Sequence, residues 1–271
     1  MRFPGATTDR EAAAYVIVGA PLDRSTTFQP GTRFGPERVR QCARSFEDYD
    51  RETDSHFSTC GVSDHGDVGA VGAIDDVAEY LTFLEGELRD FQEEGVVPLL
   101  VGGEHTVSVA GVRAVEPDVF VCLDAHLDLR ESYAGDPYSH ATATQHALDV
   151  ADRAVILGAR AGSEAEWDRA DAADVTVVPP RDVVDWTPAF DGASVYLSVD
   201  VDAADPGFAP GTGTMEPFGL DPTEMRRVVR TVAPHTVGFD VVEVNDRDDG
   251  QTAALAGKLL RRFVFDHADA A

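Results

Sequence analysis

The sequence predicts an α/β protein: a three-layer αβα sandwich with a mostly parallel central sheet. Short valine-rich runs alternate along the chain with longer segments that have the periodicity of amphipathic helices. The short runs are apolar on both faces, as strands are when helices cover both sides of a sheet. Alternation of strands and helices at this spacing is typical of parallel sheets with crossover helices.

The predicted strands are short, apolar and rich in β-branched residues, the composition that favours extended backbone in a covered sheet. In chain order they are Ala13–Ala20, Val96–Gly102, Val119–Leu123, Ala154–Gly158, Val175–Val178, Val195–Val201 and Val237–Val244. No internal repeat, low-complexity tract or linker interrupts the pattern. We therefore expect one domain that spans residues 1–271.

The predicted helices lie between these strands, and several have recognisable start signals. Asp221 stands before Pro222 with Glu224 in the first turn, and Ser163 has Glu166 three residues later. The helices are Pro36–Phe46, Asp75–Glu94, Thr106–Val115, His140–Ala151, Ser163–Ala173, Pro222–Val232 and Thr252–Phe265. The polar run Asp64–Asp67 is predicted to be a structural turn.

The charge is strongly acidic, with 49 Asp+Glu against 22 Lys+Arg and a formal net charge of −27. A nucleic-acid-binding protein needs a basic face, so this class is excluded, and docking on anionic lipid is disfavoured. Lys258 is the only lysine. Many acids with almost no lysine are typical of proteins from salt-loving archaea, so we expect a requirement for molar salt.

The cysteine pattern and the chain start indicate a cytoplasmic protein. The chain has 3 cysteines, an odd number without metal-ligand spacing, which argues against a disulfide framework and a cysteine-rich zinc site. The start of the chain, Met1 to Arg10, has no apolar core of a signal peptide. No apolar run approaches the roughly 20 residues of a membrane span.

Three clusters of polar side chains follow predicted strands. Asp124, His126 and Asp128 come directly after Val119–Leu123, and at strand spacing they share one face. By the same logic, Asp200 and Asp202 end the strand Val195–Val201, and His105 follows the strand Val96–Gly102. Because ligands of open α/β sheets bind outside the carboxyl ends of the strands, we expect these six side chains to converge.

Four carboxylates crowded together repel one another unless a cation neutralises them. With two imidazoles they suit two divalent ions, and this mixture of O and N ligands favours Mn²⁺, with Mg²⁺, Co²⁺ and Fe²⁺ as alternatives. Such ions lower the pKa of a bound water and make it a nucleophile. The other interpretation is a set of polar strand ends without metal.

The segment Val101–His105 lacks the dinucleotide fingerprint, so no nucleotide cofactor is expected.

These segments resemble the signatures of the arginase/agmatinase (ureohydrolase) family, and of agmatinases more than arginases, particularly the shorter archaeal ones. The resemblance continues through nearly the whole chain in the family's order. It is carried by 102–105 (GGEH), 124–128 (DAHLD), 198–202 (SVDVD) and 205–213 (DPGFAPGTG), with support from 31–36 (GTRFGP) and 240–244 (DVVEV).

The resemblance implies a set of metal ligands and catalytic residues. One manganese ion would be held by His105, Asp124, Asp128 and Asp200, and the other by Asp124, His126, Asp200 and Asp202. Asp128 would also help to move a proton, and Glu243 would pair with a guanidinium through two parallel hydrogen bonds. His140 matches the family's proton-shuttle histidine, for which a near-neutral pKa is suited. Ala141 replaces the usual glycine there, and His146 is the alternative shuttle.

The implied activity is hydrolysis of a guanidinium C–N bond, with agmatine giving putrescine and urea. Alternatives within the family are hydrolysis of arginine, guanidinobutyrate or a formimino compound. A catalytically silent metal-binding homologue and a binding protein without metal are the alternatives outside it. The loop Leu129–Ser139 is the candidate specificity loop, in which Arg130 could meet a substrate carboxylate and Glu131 or Asp136 an amine. The resemblance also implies a homo-oligomer, a trimer or hexamer.

Overall fold

The computed structural model describes residues 1–69 and 76–270. The strands in these residues fall into one large sheet and one small hairpin. They are β1 (Tyr15–Ala20), β2 (Tyr49–Asp50), β3 (Ser55–His56), β4 (Val62–Asp67), β5 (Val97–Gly102), β6 (Val119–Leu123), β7 (Arg153–Leu157), β8 (Val175–Val178), β9 (Val195–Asp200) and β10 (Thr236–Val242).

The helices of the described residues cover both faces of the large sheet. They are α1 (Gly35–Ala43), α2 (Val77–Glu93), α3 (Ser108–Val115), α4 (Ala143–Ala147), α5 (Glu164–Ala170), α6 (Pro180–Val183), α7 (Pro222–Val232) and α8 (Gln251–Ala270). Short 3₁₀ turns at 105–107, 140–142 and 201–203 stand at the carboxyl edge of the sheet. The expected capping boxes are present at Asp221 with Glu224 and at Ser163 with Glu166.

The large sheet has eight strands in the order β4-β1-β5-β10-β9-β6-β7-β8, and every neighbouring pair is parallel. Successive residues of each strand face opposite layers. Ile17 belongs to the apolar cluster that includes residues of α1, α7 and α8, whereas its neighbour Val18 belongs to the cluster that includes residues of α2 and α3. The predicted fold class is confirmed. In the described residues, no helix is both long and apolar enough to cross a membrane.

The prediction for Asp64–Asp67 is wrong, because these residues belong to the edge strand β4 rather than to a turn. The strand was not predicted because its polar composition differs from the apolar pattern of the other strands. Asp64 is buried, and the Arg40 guanidinium pairs with it at 2.9 Å and also contacts Asp67. A buried carboxylate is tolerated when a charged partner satisfies it, and the sequence pattern does not reveal that partner.

Most predicted helices differ from the observed ones only at their ends, but His140–Ala151 is corrected. The structure has a 3₁₀ turn over His140–Thr142 and then the short α4. Thr142 interrupts the helix, because its hydroxyl donates back to Pro137 O and Ser139 O while its backbone has φ −125°. For the predicted helix Asp75–Glu94, Asp75 lies outside the described residues.

Candidate metal centre

The sheet order brings the predicted site residues to one edge. The strands β5, β10, β9 and β6 are adjacent, and their carboxyl ends point the same way. His105 follows β5, Glu243 follows β10, Asp200 ends β9, and Asp124 follows β6. The residues therefore converge because the chain leaves four neighbouring strands at the same side.

His105 stands among three carboxylates. Its Nδ1 lies 2.8 Å from Asp128 Oδ2, 3.1 Å from Asp124 Oδ2 and 3.7 Å from Asp200 Oδ2. All four side chains are buried. Nδ1 thus points to the cluster of carboxylate oxygens, the direction that a metal-ligand atom needs.

His126 forms the second half of the cluster. Its Nδ1 lies 3.0 Å from Asp202 Oδ2 and 3.6 Å from Asp124 Oδ1. Asp124 therefore presents one oxygen to each histidine and lies between the two halves. Asp200 Oδ1 accepts a hydrogen bond from Asp202 N at 2.8 Å, which fixes the turn after β9.

The electrostatics show that negative charge accumulates here. Burial raises the pKa of Asp128 to about 7, with a contribution from the charge of Asp124. Burial and the charges of Asp202 and Asp124 hold the pKa of Asp200 well above its usual range. Burial lowers the pKa of His126, but the charge of Asp202 and the hydrogen bonds to Asp124 and Asp202 outweigh it and raise the pKa to about 12.

The donor set fits divalent metal ions. Two imidazole nitrogens and several buried carboxylate oxygens converge, and this chemistry suits Mn²⁺ or a similar hard divalent cation. Cys122 lies near this group, with its Sγ 3.8 Å from His105 Nε2, on the side away from Nδ1. Burial holds the pKa of its thiol far above the usual range, so Cys122 stays protonated and is a poor ligand.

A buried hydrogen-bond chain supports His105 from behind. His105 Nε2 lies 3.1 Å from Ser198 Oγ, and the Ser198 hydroxyl donates to Asp240 Oδ1 at 2.6 Å. The Tyr196 hydroxyl donates to Asp240 Oδ2 at 2.8 Å. Metal-bound histidines commonly donate their second ring N–H to such a partner. The sequence reasoning gave Ser198 and Asp240 no role in the site, although a polar residue in the middle of a largely apolar strand was a visible signal.

Glu243 and Asp128 have unusual backbone conformations. Their φ angles are +63° and +52°, in the left-handed region that costs free energy for residues other than glycine. Glu243 N donates to Gly103 O at 2.8 Å, and Glu243 Oε1 accepts from His105 N at 2.9 Å. The fold thus holds the Glu243 carboxylate against the same segment that carries His105.

His140 lies at the mouth of the cluster. Its Nε2 is 3.3 Å from Thr27 Oγ1, and the Tyr133 ring packs edge-on against its imidazole. Burial and the charges of His126 and His105 lower the pKa of His140 to about 4, against the opposing charges of Asp202 and Asp124. With this pKa the His140 ring is in its neutral form at pH 7.

The loop 129–139 is less open to a substrate carboxylate than the sequence suggested. Arg130 pairs with Glu166 at 2.9 Å and lies over the Tyr133 ring. Asp136 Oδ1 accepts from Tyr138 N, and Glu131 is exposed. The alternative shuttle His146 contacts Pro137 O and Asp149 on the outer side of this loop.

A parallel sheet with a cluster of histidines and aspartates at its carboxyl edge defines the chain as an α/β protein with a candidate metal centre. Residues 13–265 match the family model described as the arginase family. The chain therefore belongs to the arginase family.

Similar proteins include agmatinases of known sequence and structure. The agmatinase of Pyrococcus horikoshii is 34% identical, with 94% of this chain and 92% of that protein covered. The N(1)-aminopropylagmatine ureohydrolase of Thermococcus kodakarensis is also 34% identical, with 96% and 92% covered. The crystal structure of the agmatine ureohydrolase of Thermoplasma volcanium matches with a TM-score of 0.93 at 32% identity, covering 99% of this chain and 94% of that one.

Proposed function

We propose that this chain is an agmatinase that binds two Mn²⁺ ions and hydrolyses agmatine to putrescine and urea. The observation that carries the proposal is the convergence of His105 Nδ1 and His126 Nδ1 on shared buried carboxylates, chiefly Asp124, at the carboxyl edge. Membership of the arginase family gives this cluster its chemistry. We further propose that the chain is one ureohydrolase domain over residues 1–271.

The proposed ligands divide into two overlapping sets. One ion would be held by His105, Asp124, Asp128 and Asp200, and the second by Asp124, His126, Asp200 and Asp202. When bound, the ions lower the pKa of a water and offset negative charge in the transition state. Manganese rather than another divalent cation is proposed from the mixture of oxygen and nitrogen donors without a thiolate.

The protein's own groups orient the substrate and move the protons. Glu243 pairs with the planar guanidinium, and its strained, buried backbone keeps the carboxylate in one position. Asp128, whose Oδ2 lies 2.8 Å from His105 Nδ1 inside the cluster, would help to move a proton of the attacking water. His140, whose Nε2 lies 3.3 Å from Thr27 Oγ1, would deliver a proton to the leaving amine.

The choice of agmatine has support near the cluster. Arg130, the cation that could have met the α-carboxylate of arginine, is already paired with Glu166. Glu216 Oε1 lies 3.9 Å from His126 Nε2, and its side chain is 38% exposed. A partly exposed carboxylate beside the site favours a substrate whose far end is an amine over one whose far end is an acid.

The test uses protein loaded with Mn²⁺ in high salt and measures urea release from agmatine, arginine and guanidinobutyrate, and formamide release from a formimino compound. We expect agmatine to have the highest kcat/KM. Faster turnover of arginine or guanidinobutyrate would replace agmatine as the substrate. No urea from any guanidino compound would favour the catalytically silent alternative, and a metal content far from about two ions per chain would overturn the metal site.

His126→Asn and Asp128→Asn test the site residues. Both lie beyond the end of β6 and outside the apolar core, so we expect folded variants with most of the activity lost. Circular dichroism and metal analysis provide the control for folding and loading. If His126→Asn kept wild-type turnover and manganese content, the ligand assignment would be wrong.

We also propose three properties of the whole molecule. The charge of −27 supports a requirement for molar salt, which predicts a melting temperature that rises with KCl concentration. The family resemblance supports assembly into a homo-oligomer, a trimer or hexamer, and the 87% exposed Phe218 and 67% exposed Phe28 are candidate contact residues. Light scattering after size exclusion measures that state.

We propose a cytoplasmic location, as the cysteine pattern favours, and fractionation of cells tests it.

A further inference from the structure

The segment from Asp23 to Gly31 contains no helix or strand, yet it is held at several points. We call it the 23–31 loop. Its two ends are joined by a hydrogen bond from Gly31 N to Asp23 Oδ2 at 2.7 Å. Asn245, two residues beyond Glu243, donates from Nδ2 to Gln29 O at 2.7 Å. The loop is thus attached to the same edge of the sheet that carries the metal cluster.

Glu104 anchors the middle of this loop. Its side chain is completely buried between Gly103 and the ligand position His105. Arg24 N and Ser25 N donate to its Oε2 at 2.7 and 2.8 Å, and Ser25 Oγ donates to its Oε1 at 2.9 Å. A buried carboxylate without such donors would be strongly destabilising, so these bonds hold the loop to the carboxylate.

The bond to Glu104 decides what the Ser25 hydroxyl can do on its other side. Because the carboxylate can only accept, the Ser25 hydroxyl must donate to it, and its oxygen is then free to accept. It accepts from His140 N at 2.7 Å. Two residues later, Thr27 Oγ1 lies 3.3 Å from His140 Nε2. The loop therefore contacts both the backbone and the ring of His140, across more than a hundred residues of sequence.

We propose that the 23–31 loop positions His140, with Glu104 and Ser25 fixing its backbone and Thr27 fixing its imidazole ring. The inference rests on the proposed function, in which His140 delivers a proton to the leaving amine. Ser25, Thr27 and Glu104 are positioning residues, because they act through His140. Orientation matters here because proton transfer requires the ring nitrogen within hydrogen-bond reach of the amine.

Thr27 offers the sharpest test. Its side chain is exposed, so replacement by valine, which has the same shape without the hydroxyl, leaves the fold intact. We expect Thr27→Val to lower kcat about tenfold, since general acid–base catalysis contributes about 100- to 10,000-fold and the ring is still present. KM and manganese content should stay within about twofold, because the hydroxyl contacts neither a metal ligand nor Glu243.

Thr27→Ser keeps the hydroxyl and should restore wild-type kcat. Thr82→Val makes the same chemical change at an exposed threonine of α2, far from the site, and should leave kcat unchanged. Ser25→Ala is the second variant, and it should also lower kcat. A loss in Thr27→Val that Thr27→Ser does not restore would assign the effect to the backbone of the loop and overturn the role of the hydroxyl.

Chemical modification of His140 can be measured without turnover, so it tests this inference independently of the proposed function. Diethyl pyrocarbonate modifies neutral imidazoles, and peptide mass spectrometry measures the rate at His140 alone. We expect Thr27→Val to raise that rate severalfold and Thr27→Ser not to change it. Wild-type protein that releases no urea from any guanidino compound would refute the proposed function. Unchanged kcat and unchanged His140 modification in Thr27→Val would refute the inference while the proposed function stands.

Discussion

The hydrogen-bond chain behind His105 makes a quantitative prediction for Ser198→Ala. In the structure the Ser198 hydroxyl accepts from His105 Nε2 and donates to Asp240 Oδ1, and all three side chains are buried. Because the Ser198 hydroxyl gives its proton to Asp240, its oxygen can only accept from the ring, so Nε2 carries a proton. Removing the Ser198 hydroxyl therefore leaves the donor at His105 Nε2 and the acceptor at Asp240 Oδ1 without their shared hydrogen-bond partner.

Two magnitudes follow from these contacts. Partners of this kind are worth about 10- to 100-fold in metal affinity, which corresponds to about 1.4–2.8 kcal/mol. The same substitution should lower the free energy of unfolding of metal-stripped protein by about 1–3 kcal/mol, the cost of a buried polar group without its partner. We expect Ser198→Ala to show both losses, with the weaker binding confined to the ion held by His105.

Electron paramagnetic resonance of free Mn²⁺ during titration of chelator-stripped protein measures the affinity, and urea unfolding measures the stability. Tyr196→Phe is the matched control, because it removes the other hydroxyl that donates to Asp240 without touching His105. It should lose stability but bind Mn²⁺ within about twofold of wild type. Wild-type Mn²⁺ affinity in Ser198→Ala, or an equal loss in Tyr196→Phe, would refute the reasoning.

Three further predictions concern the protons, the guanidinium contact and the edge strand. Against the effect of burial, nearby carboxylates hold His105 and His126 protonated at pH 7, and Asp200 also has a raised pKa, so metal loading should release at least two protons and affinity should fall as pH falls; calorimetry in buffers of different ionisation enthalpy checks this, and no proton release would contradict it. Glu243→Gln should lower kcat/KM about 10- to 150-fold through loss of a charge-assisted contact, and unchanged steady-state kinetics would remove Glu243 from the site. Arg40→Leu leaves Asp64 buried without its charge partner, so urea denaturation should show a loss of about 3–5 kcal/mol that a second change, Asp64→Leu, largely restores; a loss below about 1 kcal/mol would show that the pair is unimportant.

The fold could be predicted because the sequence pattern and the burial of each strand agree. The strand Val119–Leu123 is apolar on both faces in the sequence and is covered on both faces in the structure. In strand β4 the sequence pattern and the burial do not agree. Its buried Asp64 is paired with Arg40 on α1 and also accepts from Phe3 N, and no local pattern in the sequence indicates these partners.

The convergence of His105, Asp124 and Asp200 could be anticipated because strand ends share an edge. The contacts of the 23–31 loop could not, since each depends on a tertiary distance rather than on periodicity. Ser25 and His140 lie far apart in the sequence, and neither residue type alone indicates the bond between them. The lowered pKa of His140 could not be anticipated either, because it results from burial by segments that are distant in the sequence.

The order of strands explains why the site joins both halves of the chain. β5 and β6 follow each other in sequence but are not neighbours, because β10 and β9 lie between them. The residues after β5 and β6 therefore supply His105 and Asp124, while β9 and β10 supply Asp200 and Glu243 to the gap between them. Carboxylates brought together this way repel one another until a cation binds. This repulsion offsets part of the stabilisation that apolar burial of the central strands provides. The proposed cations would bind groups carried by three of these strands, β5, β6 and β9, so metal binding and completion of the central sheet would be thermodynamically coupled.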